Sequence, residues 1–252
     1  MLAGQVLNEQ GQPLPVDYPY AQQQRIYYYR SVENESAIPF QEQIIAVTKH
    51  LVVVDKPHFL PVTPSGKYLE HTLLVRLKKT FQSDSLSPIH RIDRDTAGLV
   101  LFSRQPASRN VYQALFRERE VDKTYECIAP RNPNLPWPLE RHTRIGTSQH
   151  FMQQEEQPGI PNASTRIRPL QVAGAWARYE LVPRTGQRHQ LRVHMAALGL
   201  PIKNDGIYPI LTPEGASDFN APLQLLAKSI AFTDPITGQA LRFDSQQQLM
   251  EL

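Results

Sequence analysis

The chain has 252 residues, 40% of them hydrophobic, enough for one large domain with a real core and at most a small appendage. Its 27 Lys and Arg against 24 Asp and Glu leave a formal net charge of +3, which permits a nucleic-acid partner without requiring one. A single cysteine, Cys127, excludes an internal disulfide and a cysteine metal cage. No apolar run is long enough for a spanning helix, and the N-terminus lacks the basic-then-apolar pattern of an export signal. The expectation is a soluble protein of the cytoplasm, without a membrane partner.

Residues 1–37 are rich in Gln and turn formers and contain Arg25-Ile26-Tyr27-Tyr28-Tyr29-Arg30. Aromatic rings between two arginines suit stacking on unpaired bases. The simpler reading is a strand whose tyrosines pack on the core, and it is preferred. This segment is treated as an N-terminal extension, and residues 38–252 as the main domain.

Ile44–Val47 and Leu51–Pro57 are β-rich runs separated by a tight turn, followed by the proline-broken loop Leu60–Gly66. Leu73–Lys79 has apolar residues at helical spacing, with Lys78 and Lys79 where they suit the dipole. Pro106 opens a second helix with Val111, Tyr112, Leu115 and Phe116 on one face. Val121–Ala129 alternates as a strand, and Pro130–Asn162 reads as an irregular excursion with some short strands. Arg178–Val182 is a strand. A third helix carries Leu191, Met195 and Leu198 on one face and stops at Gly199. Leu223–Phe232, the turn Asp234–Gly238 and Leu241–Phe243 suggest a hairpin. Strands outnumber helices and follow one another in meander order. The expected class is therefore α+β with a mixed, largely antiparallel sheet flanked by helices and loops.

Chemistry concentrates in Pro88–Phe102, where His90-Arg91-Ile92-Asp93-Arg94-Asp95-Thr96 precedes the apolar run Gly98-Leu99-Val100-Leu101-Phe102. That run reads as a strand buried on both faces, which puts the charged cluster in a loop at the mouth of a core strand. Taken alone, Asp93 and Asp95 would be loop acids paired with Arg91 and Arg94. The kinase catalytic loop does not fit, because Ile92 interrupts the His-Arg-Asp order and no Gly-rich phosphate loop precedes it.

His90-Arg91-Ile92-Asp93 with Thr96-Ala97-Gly98 resembles the His-Arg-Leu-Asp-x-x-Thr-Ser-Gly signature of RluA-type RNA pseudouridine synthases. Other blocks agree, in order. His50–Pro57 resembles the family's opening strand and Lys123-Thr124-Tyr125 its Lys-x-Tyr strand. Arg184-Thr185-Gly186-Gln187-Arg188-His189-Gln190-Leu191-Arg192-Val193-His194 resembles its Thr-Gly-Arg-Thr-His-Gln-Leu-Arg-Val-His block, and Asp205-Gly206-Ile207-Tyr208 its Asp-x-x-Tyr. The resemblance spans roughly residues 44–243.

It implies a pseudouridine synthase fold with a central cleft and an enzyme that turns uridine in RNA into pseudouridine. Asp93 becomes the catalytic aspartate, Arg192 its paired arginine, and Tyr125 the active-site tyrosine that stacks on the uracil. Arg91 would fill the space of the flipped nucleotide. Leu191 or Val193 would line the uracil pocket, while Arg188 and His189 would meet the RNA. His90 and Thr96 belong to the same RNA-facing motif, although bracing of the loop suits them better than catalysis. The resemblance also implies no cofactor, no metal, ribosomal or transfer RNA as partner, and a monomer needing no protein partner. A metal on His189 and His194 is disfavoured by their five-residue spacing, which puts them on different helical faces.

Two other readings compete. A catalytically silent RNA-binding module or chaperone on the same scaffold would not need Asp93, Tyr125 and Arg192 together. A glycoside hydrolase would need a second acid from another segment. Three positions depart from the family pattern: Asn204 for Gly, Gln187 for Arg, and Ala227 within Leu226-Ala227-Lys228 for His.

Overall fold

Residues 4–28, 35–212 and 218–252 are described by a computed structural model of the chain. Its centre is a pair of strands with no exposed face, β4 (Leu51–Lys56) and β6 (Ala97–Ser103), every residue of which is buried. Helix α1 (Leu73–Phe81) covers one side, where Leu73 and Leu77 meet Val52, Val54, Val100 and Phe102. Helix α2 (Pro106–Arg117) covers the other, where Tyr112 and Leu115 meet Leu51, Val53, Leu99 and Leu101. Burial on both faces explains why these strands read as unbroken apolar runs.

The remaining strands are β1 (Val6–Leu7), β2 (Tyr27–Tyr28), β3 (Gln43–Val47), β5 (Ser87–Pro88), β7 (Asp122–Pro130), β8 (Leu139–Thr147), β9 (Gln154–Gln157), β10 (Ala163–Ala173), β11 (Trp176–Pro183), β12 (Leu225–Thr233) and β13 (Ala240–Asp244). The third helix, α3, spans Gln190–Ala197. The large sheet runs β3-β4-β6-β12-β7-β11-β10-β8-β9, with β5 pairing β6 and β13 pairing β12. All these pairings are antiparallel except β6 with β12, the expected mixed and largely antiparallel α+β arrangement. Among the described residues no helix is long and apolar enough to cross a membrane.

The parallel joint is tight. Gly98 has φ +109, and a Cβ there would lie 2.3 Å from the Ala227 carbonyl oxygen. Only glycine lets the strand carrying the charged loop close against β12 at this point.

Three expectations change. The excursion from Pro130 to Asn162 contains the nine-residue strand β8 as well as the short β9. Next to β8 lies β10, eleven residues long and not foreseen. Within the N-terminal segment, Tyr27 and Tyr28 do sit in a strand, but a two-residue one in a separate two-stranded sheet, and both rings are exposed rather than packed on a core. Tyr29 and Arg30 of the same motif lie outside the described residues.

Candidate active site

The loop before β6 is held from beneath. Lys56, at the end of β4 and fully buried, donates from Nζ to the carbonyls of Pro57 and Arg94, each at 2.9 Å. His58 Nδ1 lies 2.7 Å from the Asp95 carbonyl. Arg94 pairs with Asp95 at 2.8 Å, which leaves Asp95 as a structural acid. Burial pushes the Lys56 amine down to about 7, against the pull of Asp95 and Asp93. With the backbone of residues 94–95 pinned, the Asp93 side chain projects from a fixed base and keeps 28% of its surface exposed.

His90 is partly buried and Thr96 buried, and the contacts of His90 lie within the protein. His90 stacks on Phe116 with ring centres 4.4 Å apart, and its Nε2 accepts the Leu101 N–H at 3.2 Å. Burial, with Lys123 nearby, pushes its imidazole down to about 3, so it is a neutral brace. Thr96 is buried at 2% exposure. Arg91 is exposed.

The opposite wall is α3. The chain enters it through His189 in the left-handed conformation, φ 57. Gln190 anchors the first turn: its Oε1 accepts from Thr185 Oγ1 (2.6 Å), and its Nε2 donates to Thr165 Oγ1 (2.9 Å) and the Ser164 carbonyl (3.0 Å). Residues Gln190 to Met195 are all buried, so α3 is enclosed rather than one-faced. Leu191 packs in the cluster that Tyr125 joins, whereas Val193 packs with Tyr208, Ile145 and Ala163. Arg188 is exposed and donates to the carbonyls of Phe151 and Met152 at 3.3 and 3.4 Å, bracing the β8–β9 hairpin.

Arg192 unites the two walls. Its guanidinium, 2% exposed, donates Nη1–H to Asp93 Oδ2 at 3.2 Å. The remaining fork closes on Asp205, Nε to Oδ2 at 2.8 Å and Nη2 to Oδ1 at 2.6 Å. Asp205 has no exposed side-chain surface, and its Oδ1 also accepts the N–H groups of Ile207 (2.8 Å) and Tyr208 (3.0 Å). Burial works against the charge on Arg192, but Asp205 and then Asp93 outweigh it and raise the guanidinium above its ordinary value. A bidentate clamp of this kind fixes the direction of the third donor. Asp205 was visible in the sequence as the start of Asp-x-x-Tyr, but nothing there marked it as the partner of Arg192.

Tyr125 extends from β7, half-buried beside Leu191. Burial and then the Asp93 charge push its hydroxyl well above the usual tyrosine range, so it stays protonated. His189 and His194 face different partners: His189 lies 3.9 Å from Asp93, while His194 bridges Thr165 (2.9 Å) and Thr143 (3.0 Å). Asn204 takes φ 62, a left-handed turn that asparagine tolerates, so the turn before Asp205 survives the loss of glycine. Gln187 is exposed and donates to the Asn162 carbonyl at 3.3 Å.

The geometry thus offers a reachable carboxylate, Asp93, an arginine buried behind it, and an aromatic ring whose hydroxyl senses its charge. The family model described as RNA pseudouridylate synthase matches residues 50–197. This chain belongs to the RNA pseudouridylate synthase family. It is 33% identical over 204 residues to an uncharacterized RNA pseudouridine synthase of Synechocystis sp., covering 79% of this chain and 69% of that one. It is 32% identical over 219 residues to the dual-specificity RNA pseudouridine synthase RluA of Haemophilus influenzae, covering 81% and 92%. The match to mouse pseudouridylate synthase RPUSD2, 31% over 166 residues, covers 66% of this chain and only 30% of that longer protein. Human RNA pseudouridylate synthase domain containing 4 has the same fold, with TM-score 0.65 and 25% identity over 82% of this chain and 88% of that one. The family places the enzyme among RNA pseudouridine synthases, with the α+β fold expected from the motifs.

Proposed function

We propose that the chain isomerises particular uridines in structured ribosomal or transfer RNA, with Asp93 as the reacting carboxylate. The supporting observation is the Asp93–Arg192 contact at 3.2 Å, in which the carboxylate reaches solvent and its cation does not. In the isomerisation the N1–C1′ bond breaks and a C5–C1′ bond forms. The hydrogen leaves C5 and N1 gains a proton, so the change is redox-neutral. One positioned carboxylate serves any of three routes: attack on C1′, attack on C6, or removal of the C2′ proton. Tyr125 stacks on the flipped uracil, Leu191 lines the pocket beside it, and Arg91 occupies the space that the base vacates. Arg188 and other exposed cations contribute phosphate contacts, while splayed bases and loop shape supply selectivity.

Transfer RNA is supported by one relative whose name specifies it, the mitochondrial tRNA pseudouridine(32) synthase of Saccharomyces cerevisiae, 28% identical over 170 residues. The working form proposed is a cytoplasmic monomer in which residues 38–252 are the catalytic unit and 1–37 an extension. The test is pseudouridine mapping of total RNA from cells with and without the gene, complemented by the unsubstituted protein or by Asp93→Asn. The expected result is one or a few sites lost and restored only by the unsubstituted protein. Restoration by Asp93→Asn would remove Asp93 from its role. Complementation that never restores a site would favour an RNA-binding protein on a synthase scaffold.

A further inference from the structure

The motif puts His189 among RNA-contacting residues, yet its side chain is only 8% exposed and turns inward. It ends a chain of hydrogen bonds that begins in the β8–β9 hairpin. The backbone N–H of Gln154 donates to the Tyr208 hydroxyl oxygen at 2.7 Å, and that hydroxyl lies 2.9 Å from His189 Nδ1. On the far side of the ring, His189 Nε2 lies 3.9 Å from Asp93 Oδ1, the oxygen that Arg192 does not hold.

One direction of the chain suits every group in it. An amide N–H only donates, so the Tyr208 oxygen accepts there and keeps its own proton to give, for which Nδ1 of His189, 2.9 Å away, is a fitting acceptor. A neutral imidazole that accepts at Nδ1 carries its hydrogen on Nε2. Burial holds His189 below its ordinary value despite the pull of Asp93, which favours the neutral ring. Tyr208 is itself fixed: Asp205 accepts its backbone N–H at 3.0 Å, and the Arg192 guanidinium lies over its ring at 5.4 Å.

We propose that His189 is a positioning residue for Asp93, with Tyr208 setting the tautomer that aims an Nε2–H at the free carboxylate oxygen. The inference rests on Asp93 being the reacting group. With Arg192 on Oδ2 and His189 on Oδ1, rotation of the carboxyl group is restrained from both sides. The 3.9 Å separation is longer than a hydrogen bond and closes when RNA fills the site, as catalytic contacts often do.

The test measures tritium release from [5-3H]uridine-labelled RNA prepared from cells lacking the gene, under single-turnover conditions with enzyme in excess. His189→Ala and Tyr208→Phe should each lower the maximal rate between about 10- and 100-fold, with the half-saturating enzyme concentration nearly unchanged. His189→Gln, whose amide nitrogen reaches the Nε2 position, should recover most of the rate. An Ala variant that keeps its rate but needs more enzyme for saturation would make His189 an RNA contact and overturn the proposal, as would a Gln variant no better than Ala. Nitrogen-15 spectra of labelled histidines test the tautomer without any turnover. The Nε2–H form is expected in the unsubstituted protein and its loss in Tyr208→Phe, whereas an Nδ1–H form would overturn the proposal. An unsubstituted protein that releases no tritium would instead sink the catalytic reading, while the spectra still decide the tautomer.

Discussion

Asp93 and Arg192 are separated by 99 residues of sequence and joined at 3.2 Å. Of the three guanidinium contacts to carboxylates, Asp93 receives the single, longer one, and Asp205 receives the two short ones. The arginine is therefore immobilised by Asp205 and presented to Asp93, whose side chain stays 28% exposed.

Arg192→Lys tests that division of labour. An ammonium is a point charge without the planar fork, so it cannot hold Asp205 bidentately and still reach Asp93. Charge is conserved while geometry is lost, and single-turnover rates should fall about 100-fold. A lysine variant within a few-fold of the unsubstituted rate would show that charge alone suffices.

Asp205→Asn should act mainly on stability. It removes the principal counter-charge of an arginine that is 2% exposed, and it weakens the acceptor for the Ile207 and Tyr208 amides. Breaking a buried pair from one side costs about 3–5 kcal/mol. Urea unfolding reads this directly, and a loss below about 1 kcal/mol would mean that water or Asp93 replaces the carboxylate.

Lys56 gives a pH signature. Its folded value near 7 lies below the ordinary lysine value of 10.5, so between those limits the unfolded chain binds a proton that the folded chain does not. Stability from this group therefore rises with pH across the window and is lost as pH falls towards 7, with a slope of up to about 1.4 kcal/mol per pH unit. Lys56→Met should be least stable relative to the unsubstituted protein at high pH. Equal differences in unfolding free energy at the two ends of this window would refute a depressed lysine.

Gly98→Ala combines a left-handed φ of +109 with a Cβ placed 2.3 Å from backbone oxygen. Neither fault is relieved by a rotamer change, and the parallel β6–β12 joint must open. Destabilisation well above about 3 kcal/mol is expected, read as loss of soluble folded protein. A soluble variant with an unchanged melting temperature would show that the joint is looser than this.

The motifs marked Asp93, Arg192 and Tyr125 because each sits among short, distinctive neighbours. The runs at β4 and β6 were equally legible, since burial on both faces leaves no alternation to dilute the apolar signal. Strand β10 escaped because its outward positions carry Ser164, Arg166 and Arg168, and a register shift between Pro169 and Gln171 interrupts the period. Strand β8 escaped for a similar reason: Glu140, His142 and Arg144 face outward, and the inward side has few apolar residues. The stacking of His90 on Phe116 and the burial of Thr96 were not legible, because a motif records which residues occur together and not which way they point.

By itself the sequence determined the family, the order of its blocks and the carboxylate around which they gather, because local composition and spacing survive in one dimension. The tertiary structure alone decided that Asp205 clamps Arg192, that Lys56 pins the loop carrying Asp93, and that His189 lies between Tyr208 and Asp93. Each of these is a contact between distant segments. Its direction depends on burial, on a left-handed residue at the head of α3 and on the parallel joint at Gly98, none of which has a periodic signature in the chain.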